Sequence, residues 1–408
     1  MTGWERKKLG EVCELVARGV APRYIDDDGL CVLNQKCVRD HVIDYRLSRR
    51  HDISKKSVDP ERLIRVGDVL VNSTGTGTLG RVAQVREIPS EPATVDTHVT
   101  IVRPQSDRFF LDFFGYMMIM IEEEIAASGE GASGQTELAR STLANEFDVN
   151  FPTSKQEQQR IVAILDEAFE GLAVAAAGAE KNLRNARELF DSYLNSVFAQ
   201  KGEGWVDRQL ASLCHEITVG HVGSMKAEYK ESGIPFLRSQ NIRPFEVSME
   251  NVMFIDDTFH RALKKSQLRP GDLAIVRTGY PGTAAVIPPE LPDSNCSDLV
   301  IVRPTKEVNP HFLAAFFNSA FGKQLVLGKI VGAAQKHFNV TAAKEVMLHL
   351  PPVAEQLNII RMGGSLREET QRLARLYERK LAALETLKKS LLHQAFAGKL
   401  TSSERVAA

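Results

Sequence analysis

The stretch Gly75-Thr76-Gly77-Thr78-Leu79-Gly80 has the glycine spacing of a loop that cradles a dinucleotide pyrophosphate. That chemistry needs the loop to leave a strand and open a helix whose N-terminal amides meet the phosphates. Here Arg81-Val82-Ala83-Gln84-Val85 reads as a further strand stopping near Pro89, so the spacing predicts a polar turn instead. The sister loop, Thr278-Gly279-Tyr280-Pro281-Gly282-Thr283, breaks the pattern with a proline. Asp26-Asp27-Asp28-Gly29 lacks the alternating ligand spacing of a calcium loop and reads as a solvated turn. The ten histidines contain no HExxH pair for zinc, and His98, His221 and His337 read as loop or surface residues. Cys13, Cys31, Cys37, Cys214 and Cys296 are odd in number and form no CxxC, which fits a reduced chain without structural zinc. Neither a GxSxG turn nor the asparagine-proline-proline-aromatic motif of amino methyltransferases occurs. These spacings give no catalytic centre.

What the loops do carry is hydrogen-bonding chemistry. Asn34, Gln35 and Lys36 follow one short apolar strand, and Asn72, Ser73, Thr74 and Thr76 follow another. The second half of the chain offers Arg238, Ser239, Gln240 and Asn241 at the first place, and Arg277, Thr278 and Tyr280 at the second. Lys336 adds a cation just after a glycine-rich loop at 332–335. Arg, Lys, Asn and Gln read guanine and adenine edges in the major groove. Hydroxyls and the backbone amides of glycine loops bind phosphates. Residues 36–65 also hold nine Lys/Arg against five acids, a local basic patch in a chain of net charge −1. Taken alone, such a patch is more often a solvated face than a binding surface. Different polar loops on one repeated scaffold suggest two related modules for two different sequences of double-stranded DNA.

The elements that must hold these loops are written twice. Trp4-Glu5-Arg6-Lys7-Lys8-Leu9-Gly10-Glu11-Val12-Cys13 returns 201 positions later as Trp205-Val206-Asp207-Arg208-Gln209-Leu210-Ala211-Ser212-Leu213-Cys214. Val66-Gly67-Asp68-Val69-Leu70-Val71 matches Pro270-Gly271-Asp272-Leu273-Ala274-Ile275, a turn feeding a buried strand. Val99-Thr100-Ile101-Val102-Arg103-Pro104 matches Leu299-Val300-Ile301-Val302-Arg303-Pro304. Aromatic-rich helices follow at 110–114 and 312–317, and then glycine-rich loops at 129–134 and 332–335. Each half ends in a long stretch free of proline. The first opens Glu157-Gln158-Gln159-Arg160-Ile161, and 198 positions on stands Glu355-Gln356-Leu357-Asn358-Ile359. Ile161, Ile164, Ala168, Leu172, Ala175, Ala179, Ala186, Phe190, Tyr193 and Val197 recur at mostly helical spacings, as do Leu366, Leu373, Tyr377, Leu381, Leu384, Leu387 and Leu391. Alternating three and four is the seam spacing of helices wound around each other, and an alanine seam suits a leucine one. A period of about 200 residues is too long for a solenoid, so the chain reads as two homologous domains, each mostly strand with a helical arm.

A length of 408 residues allows two or three domains with cores of their own. Apolar content of 43% and charged content of 25% are those of a globular protein. No run of eighteen apolar residues occurs, and the richest stretch, 109–121, is interrupted by Asp112. No apolar segment follows Met1-Thr2-Gly3-Trp4, so no signal peptide is expected. The expected location is cytoplasmic, without membrane contact.

With these matched segments on view, the chain resembles the specificity subunits of type I restriction–modification systems over essentially its whole length. The features that carry the resemblance are the Trp4 and Trp205 openings, the two Gly-Asp strands, and Glu157-Gln158 with Glu355-Gln356. Ser390-Leu391-Leu392 followed by Ala395-Phe396-Ala397-Gly398-Lys399-Leu400 belongs to the same set. The resemblance implies an α+β chain of two target-recognition domains, at 1–150 and 202–350. Helical spacers at 151–201 and 351–400 would pair as an antiparallel coiled coil, ahead of a short tail at 401–408. It implies a non-catalytic subunit that reads a bipartite, asymmetric DNA site. Its implied partners are two methyltransferase subunits and restriction/translocase subunits, and S-adenosylmethionine, ATP and Mg would be bound by those partners and not by this chain. A methylation-only or fused relative, and a coiled-coil scaffold without DNA binding of its own, are the other readings. The first helix departs from a clean seam at Gly171 and Gly178, which invite a close helix approach or a bend.

Overall fold

The computed structural model describes residues 3–87, 91–129, 137–200, 202–328 and 337–401. Two compact units divide the chain: Met1–Gly178 with Lys380–Ala408, and Ala179–Arg379. Each takes part of both long helices, Lys155–Ala199 and Val353–Phe396.

In the first unit an antiparallel sheet runs Cys13–Arg18, Val99–Pro104, Val69–Asn72, Val82–Gln84 in spatial order. Its inner strands are buried throughout because both faces are covered, which is why they read as unbroken apolar runs. Side chains alternate between faces. Leu70, Ile101 and Ala83 pack with Leu33 and Val95 of a second, mixed sheet. Val69, Val71, Val102 and Val82 pack instead on Phe113, Phe114 and Met117 of the aromatic helix Leu111–Met120. The second unit repeats the division. Ala274, Ile301 and Ala285 face Leu237 and Cys296, whereas Leu273, Ile275 and Val302 face Phe312 and Phe316 of the helix Pro310–Asn318.

The duplicated Gly-Asp turn holds a buried ion pair. Arg103 donates from Nε and Nη2 to the two Asp68 oxygens, each at 2.8 Å, and also to the carbonyls of Leu63 and Glu61. In the second unit Arg303 reaches Asp272, at 3.3 Å, as well as Glu216 and the Gln267 carbonyl. The helix-opening glutamines are equally fixed. Gln158 is fully buried; its Oε1 accepts from the Phe110 amide at 2.7 Å and its Nε2 donates to the Arg108 and Pro152 carbonyls. Gln356 repeats this with the Asn309 amide at 2.8 Å and the Glu307 and Pro351 carbonyls.

Within each unit the two helix segments run antiparallel. In the first, Ile161 and Leu165 share a core with Leu392 and Phe396, Glu157 contacts Thr401, and Phe169 lies under the Lys388 ammonium. In the second, Arg187 pairs with Glu378 at 2.8 Å and the Tyr193 hydroxyl donates to the Ile359 carbonyl at 3.1 Å. Ala179 and Ala186 are buried as the seam predicts, but Leu387 is 47% exposed and Lys388 takes its turn. Nor do Gly171 and Gly178 serve a close approach, because a Cβ at either would meet open space. That role falls to Gly363, whose Cβ would stand 3.3 Å from the Tyr193 ring.

Candidate nucleic-acid interface

Four segments of the first unit meet at the ends of its central strands. The Ser73 amide donates to the His98 carbonyl at 2.8 Å, and the Leu138 amide donates to the Ser73 carbonyl at 2.9 Å. The Asn72 side chain donates to the Gln35 carbonyl at 3.0 Å, and Thr74 Oγ1 lies 2.8 Å from His98 Nδ1. Gly75, with φ of +105°, lets the loop close on Gln35, since a Cβ there would sit 2.5 Å from the Gln35 carboxamide oxygen. Arg18, Gln35, Thr74, His98 and Glu137 line a recess of about 260 Å³ among these segments.

The sequence-predicted residues divide into two groups here. Gln35 and Thr74 line the recess, and Lys36 and Thr76 are exposed beside them. Asn34 is half-buried and shapes the turn, accepting from the Lys36 amide at 2.9 Å and donating to the Leu47 carbonyl at 3.1 Å. Asn72 and Ser73 are fully buried. The Ser73 hydroxyl shares a 2.5 Å hydrogen bond with Thr100, so both residues form the loop from within and do not face a nucleic acid. The sequence reading missed Arg18 and Glu137, and took His98 for an uncommitted loop residue. His98 directly precedes the duplicated strand Val99–Pro104, and that position marks the turn. Its amide donates to Asp96, whose carboxyl is raised above its usual range by burial.

The second unit builds the same cluster with other side chains. The Arg277 amide donates to the Asp298 carbonyl at 3.3 Å, and the Phe338 amide donates to the Arg277 carbonyl at 3.2 Å, repeating the Ser73 pattern. Ser239 Oγ donates to the Asp298 carbonyl at 3.2 Å. Arg238 donates to the Asn251 carbonyl at 2.9 Å, and its guanidinium stands 5.9 Å from the Tyr229 ring. Gln240 reaches the Asn251 carbonyl at 3.5 Å, Thr278 is half-buried, and Tyr280 projects with 85% of its surface exposed. The Nε atoms of Arg238 and Arg277 are buried without a hydrogen-bond partner. Asn241 is fully buried and caps the loop, accepting from the Arg238 amide and donating to the Ser248 and Glu250 carbonyls. Like Asn72 and Ser73, it points inward. Lys336 lies outside the described residues, as do 130–134 and 332–335 of the glycine-rich loops.

Part of the basic stretch 36–65 is engaged by local partners. Arg46 pairs with Asp44, Arg50 with Glu91 and Lys55 with Asp52. Arg62 donates to the Arg18 and Gly19 carbonyls, and the Arg49 guanidinium lies over the Tyr24 ring. The glycine-spaced loop runs into the strand Val82–Gln84 and opens no helix. Among the described residues, no three His, Cys, Asp or Glu side chains group to hold a metal ion. Burial pushes the Cys37 thiol up to about 11 and that of Cys214 up to about 12, so neither is a thiolate at neutral pH. No helix of the described residues is long and apolar enough to cross a membrane.

A sheet scaffold built twice, with different polar loops at the same strand ends, is what the two units share. Residues 1–176 match the family model described as type I restriction modification DNA specificity domain. Over that stretch the chain is similar to this family. It is 26% identical over 191 residues to the type I restriction enzyme EcoKI specificity subunit of Escherichia coli (strain K12), covering 44% of this chain and 41% of that protein. It is 21% identical over 386 residues to the EcoBI specificity subunit of Escherichia coli, covering 84% of this chain and 81% of the relative. Two solved structures share the fold. One, from work on complex assembly and conformational transition of the type I R-M system, has a TM-score of 0.79 at 19% identity, covering 98% of this chain and 99% of its own. The HsdS subunit from Thermoanaerobacter tengcongensis has a TM-score of 0.62 at 18% identity, with 98% of each chain covered.

Proposed function

We propose that this chain reads a bipartite, asymmetric site in double-stranded DNA, one half through each unit, and does no chemistry of its own. One observation carries the reading. The same loop cluster stands at the same strand ends in both units, but Gln35, Thr74 and His98 occupy it in one, and Arg238, Arg277 and Tyr280 in the other. Amide and guanidinium side chains at such places suit direct reading of base edges. In this reading the chain scaffolds two methyltransferase subunits and the restriction/translocase subunits in the cytoplasm. S-adenosylmethionine, ATP and Mg belong to those partners. The test combines a gel shift on duplex DNA, with and without a methyltransferase partner, and sequencing of methylated sites in cells that carry the system. Replacing residues 1–150 by a relative's equivalent changes one half-site only. Loss of both half-sites, or methyl transfer by the purified chain alone, overturns the proposal.

A further inference from the structure

The loops that follow the two Gly-Asp strands differ in length and in what they project. In the second unit the Gly282 amide closes the loop on the Val276 carbonyl at 3.0 Å, enclosing residues 277–281. In the first, the Gly80 amide closes on the Asn72 carbonyl at 2.8 Å, enclosing 73–79, so the second loop is two residues shorter. Thr76 and Tyr280 hold the same place in the two loops, one residue after the glycine of the Thr-Gly pair. Tyr280 is 85% exposed, more than any other large hydrophobic residue among those described.

The short loop holds the backbone beneath that ring. The Val276 amide donates to the Thr283 carbonyl at 2.8 Å and closes the base of the loop. The Thr283 amide donates to the carbonyl of Tyr280 itself at 3.2 Å. Gly279 and Gly282 supply the left-handed turns, with φ of +83° and +89°. Pro281 has its own φ fixed by its ring and confines the preceding Tyr280 to extended backbone. The aromatic ring thus stands out from a backbone that is pinned on both sides.

What such a ring can meet follows from the shape of a duplex. Stacking hides the faces of the bases, so a side chain entering the major groove meets only their edges. Among those edges the one apolar group is the 5-methyl of thymine. Over a cytosine amino group or a purine N7 the ring would cover a polar atom and leave it without a hydrogen bond, which is unfavourable. We propose that Tyr280 packs its ring on a thymine 5-methyl group, and so makes a thymine–adenine pair part of the second half-site. The inference rests on the reading of DNA proposed above. It adds an apolar contact to the hydrogen-bonding chemistry of Arg277, three residues earlier on the same loop.

The test uses the full chain with its methyltransferase partner, on duplexes carrying the site found by sequencing methylated DNA. Each thymine of the second half-site is replaced in turn by deoxyuridine, which removes the 5-methyl group and nothing else. One replacement is expected to weaken binding about fourfold, the worth of one buried methyl-sized group. In Tyr280→Ala the same replacement changes nothing, whereas Tyr280→Phe keeps the parental fourfold difference. A parent indifferent to every replacement overturns the proposal, as does a second half-site with no thymine in either strand. So does Tyr280→Ala that still distinguishes thymine from deoxyuridine. Tyr280→Phe that fails to distinguish them also overturns it, because the hydroxyl and not the ring is then the contact. A parent that binds scrambled duplex as tightly as its own site fails at an earlier step: the reading of DNA falls, and this inference with it.

Discussion

Gln158 and Gln356 each offer a carbonyl oxygen to one backbone amide and an amino group to two carbonyls, with no exposure to water. Removing such a group leaves three buried backbone partners without a bond, at about 1–3 kcal/mol for each that water cannot reach. Gln158→Ala is therefore expected to cost about 3 kcal/mol, read as a lower urea midpoint with unchanged slope. The Glu-Gln pair was legible in the sequence as a repeated marker, but its role was not, because two of the three Gln158 partners lie about 50 positions upstream. The polar loop residues were legible as a group. Which of them face outward was not, since burial of Asn72, Ser73 and Asn241 depends on neighbours remote in sequence. Arg277 is a half-buried residue in the second cluster. Arg277→Ala should weaken recognition of the second half-site by about 1–3 kcal/mol and leave the first intact, as measured by titration with duplexes altered in one half.

Among the elements, the paired turn and strand of the Gly-Asp motif depend on a desolvated ion pair. Burial pushes the Asp68 carboxyl up against the pull of Arg103. Arg103→Ala leaves that carboxyl buried and unpaired, at about 3–5 kcal/mol, whereas cutting the more exposed Arg18–Glu137 pair costs under about 1 kcal/mol. Without Arg103 the folded-state carboxyl lies still further above its unfolded value of 3.8. A carboxyl raised in the folded state favours folding below its unfolded pKa and loses that contribution as pH rises through the folded value. The variant's denaturant midpoint should therefore fall, relative to the parent, as pH is raised from below that unfolded value. The helices were the most legible elements, since their extent follows from proline-free apolar spacing. Their contacts were less so. Lys388 stands at the seam where Leu387 does not, its ammonium over the Phe169 ring face. Gly363, with Tyr193 pinned to Ile359, supplies the close approach expected of Gly171 and Gly178. Gly171→Ala and Gly178→Ala should each stabilise by up to about 1 kcal/mol, and Gly363→Ala should forfeit that gain, in parallel thermal melts.

At the scale of the whole molecule, both long helices contribute to both units, and the boundary falls at Gly178 in one and Lys380 in the other. The seam contacts on each side of that boundary belong to separate cores, Ile161 and Leu165 with Leu392 in one, Leu194 and Phe198 with Ile359 in the other. Seven residues inserted into both helices at this boundary keep the heptad phase and leave each unit's internal packing as it is. Each helix then lengthens by about 10 Å. That rise equals roughly three base pairs at about 3.4 Å each. If the helices set the distance between the two reading loops, the variant prefers a bipartite site whose central gap is longer by about three base pairs. Selection from a duplex library with randomised gap length, performed with the methyltransferase partner present, measures this preference directly. Loss of specific binding with intact folding fits the same account, because added duplex also rotates the second half-site about the DNA axis. A variant that keeps the parental gap at parental affinity shows that the helices do not set the spacing, and transfers that role to the partner subunits.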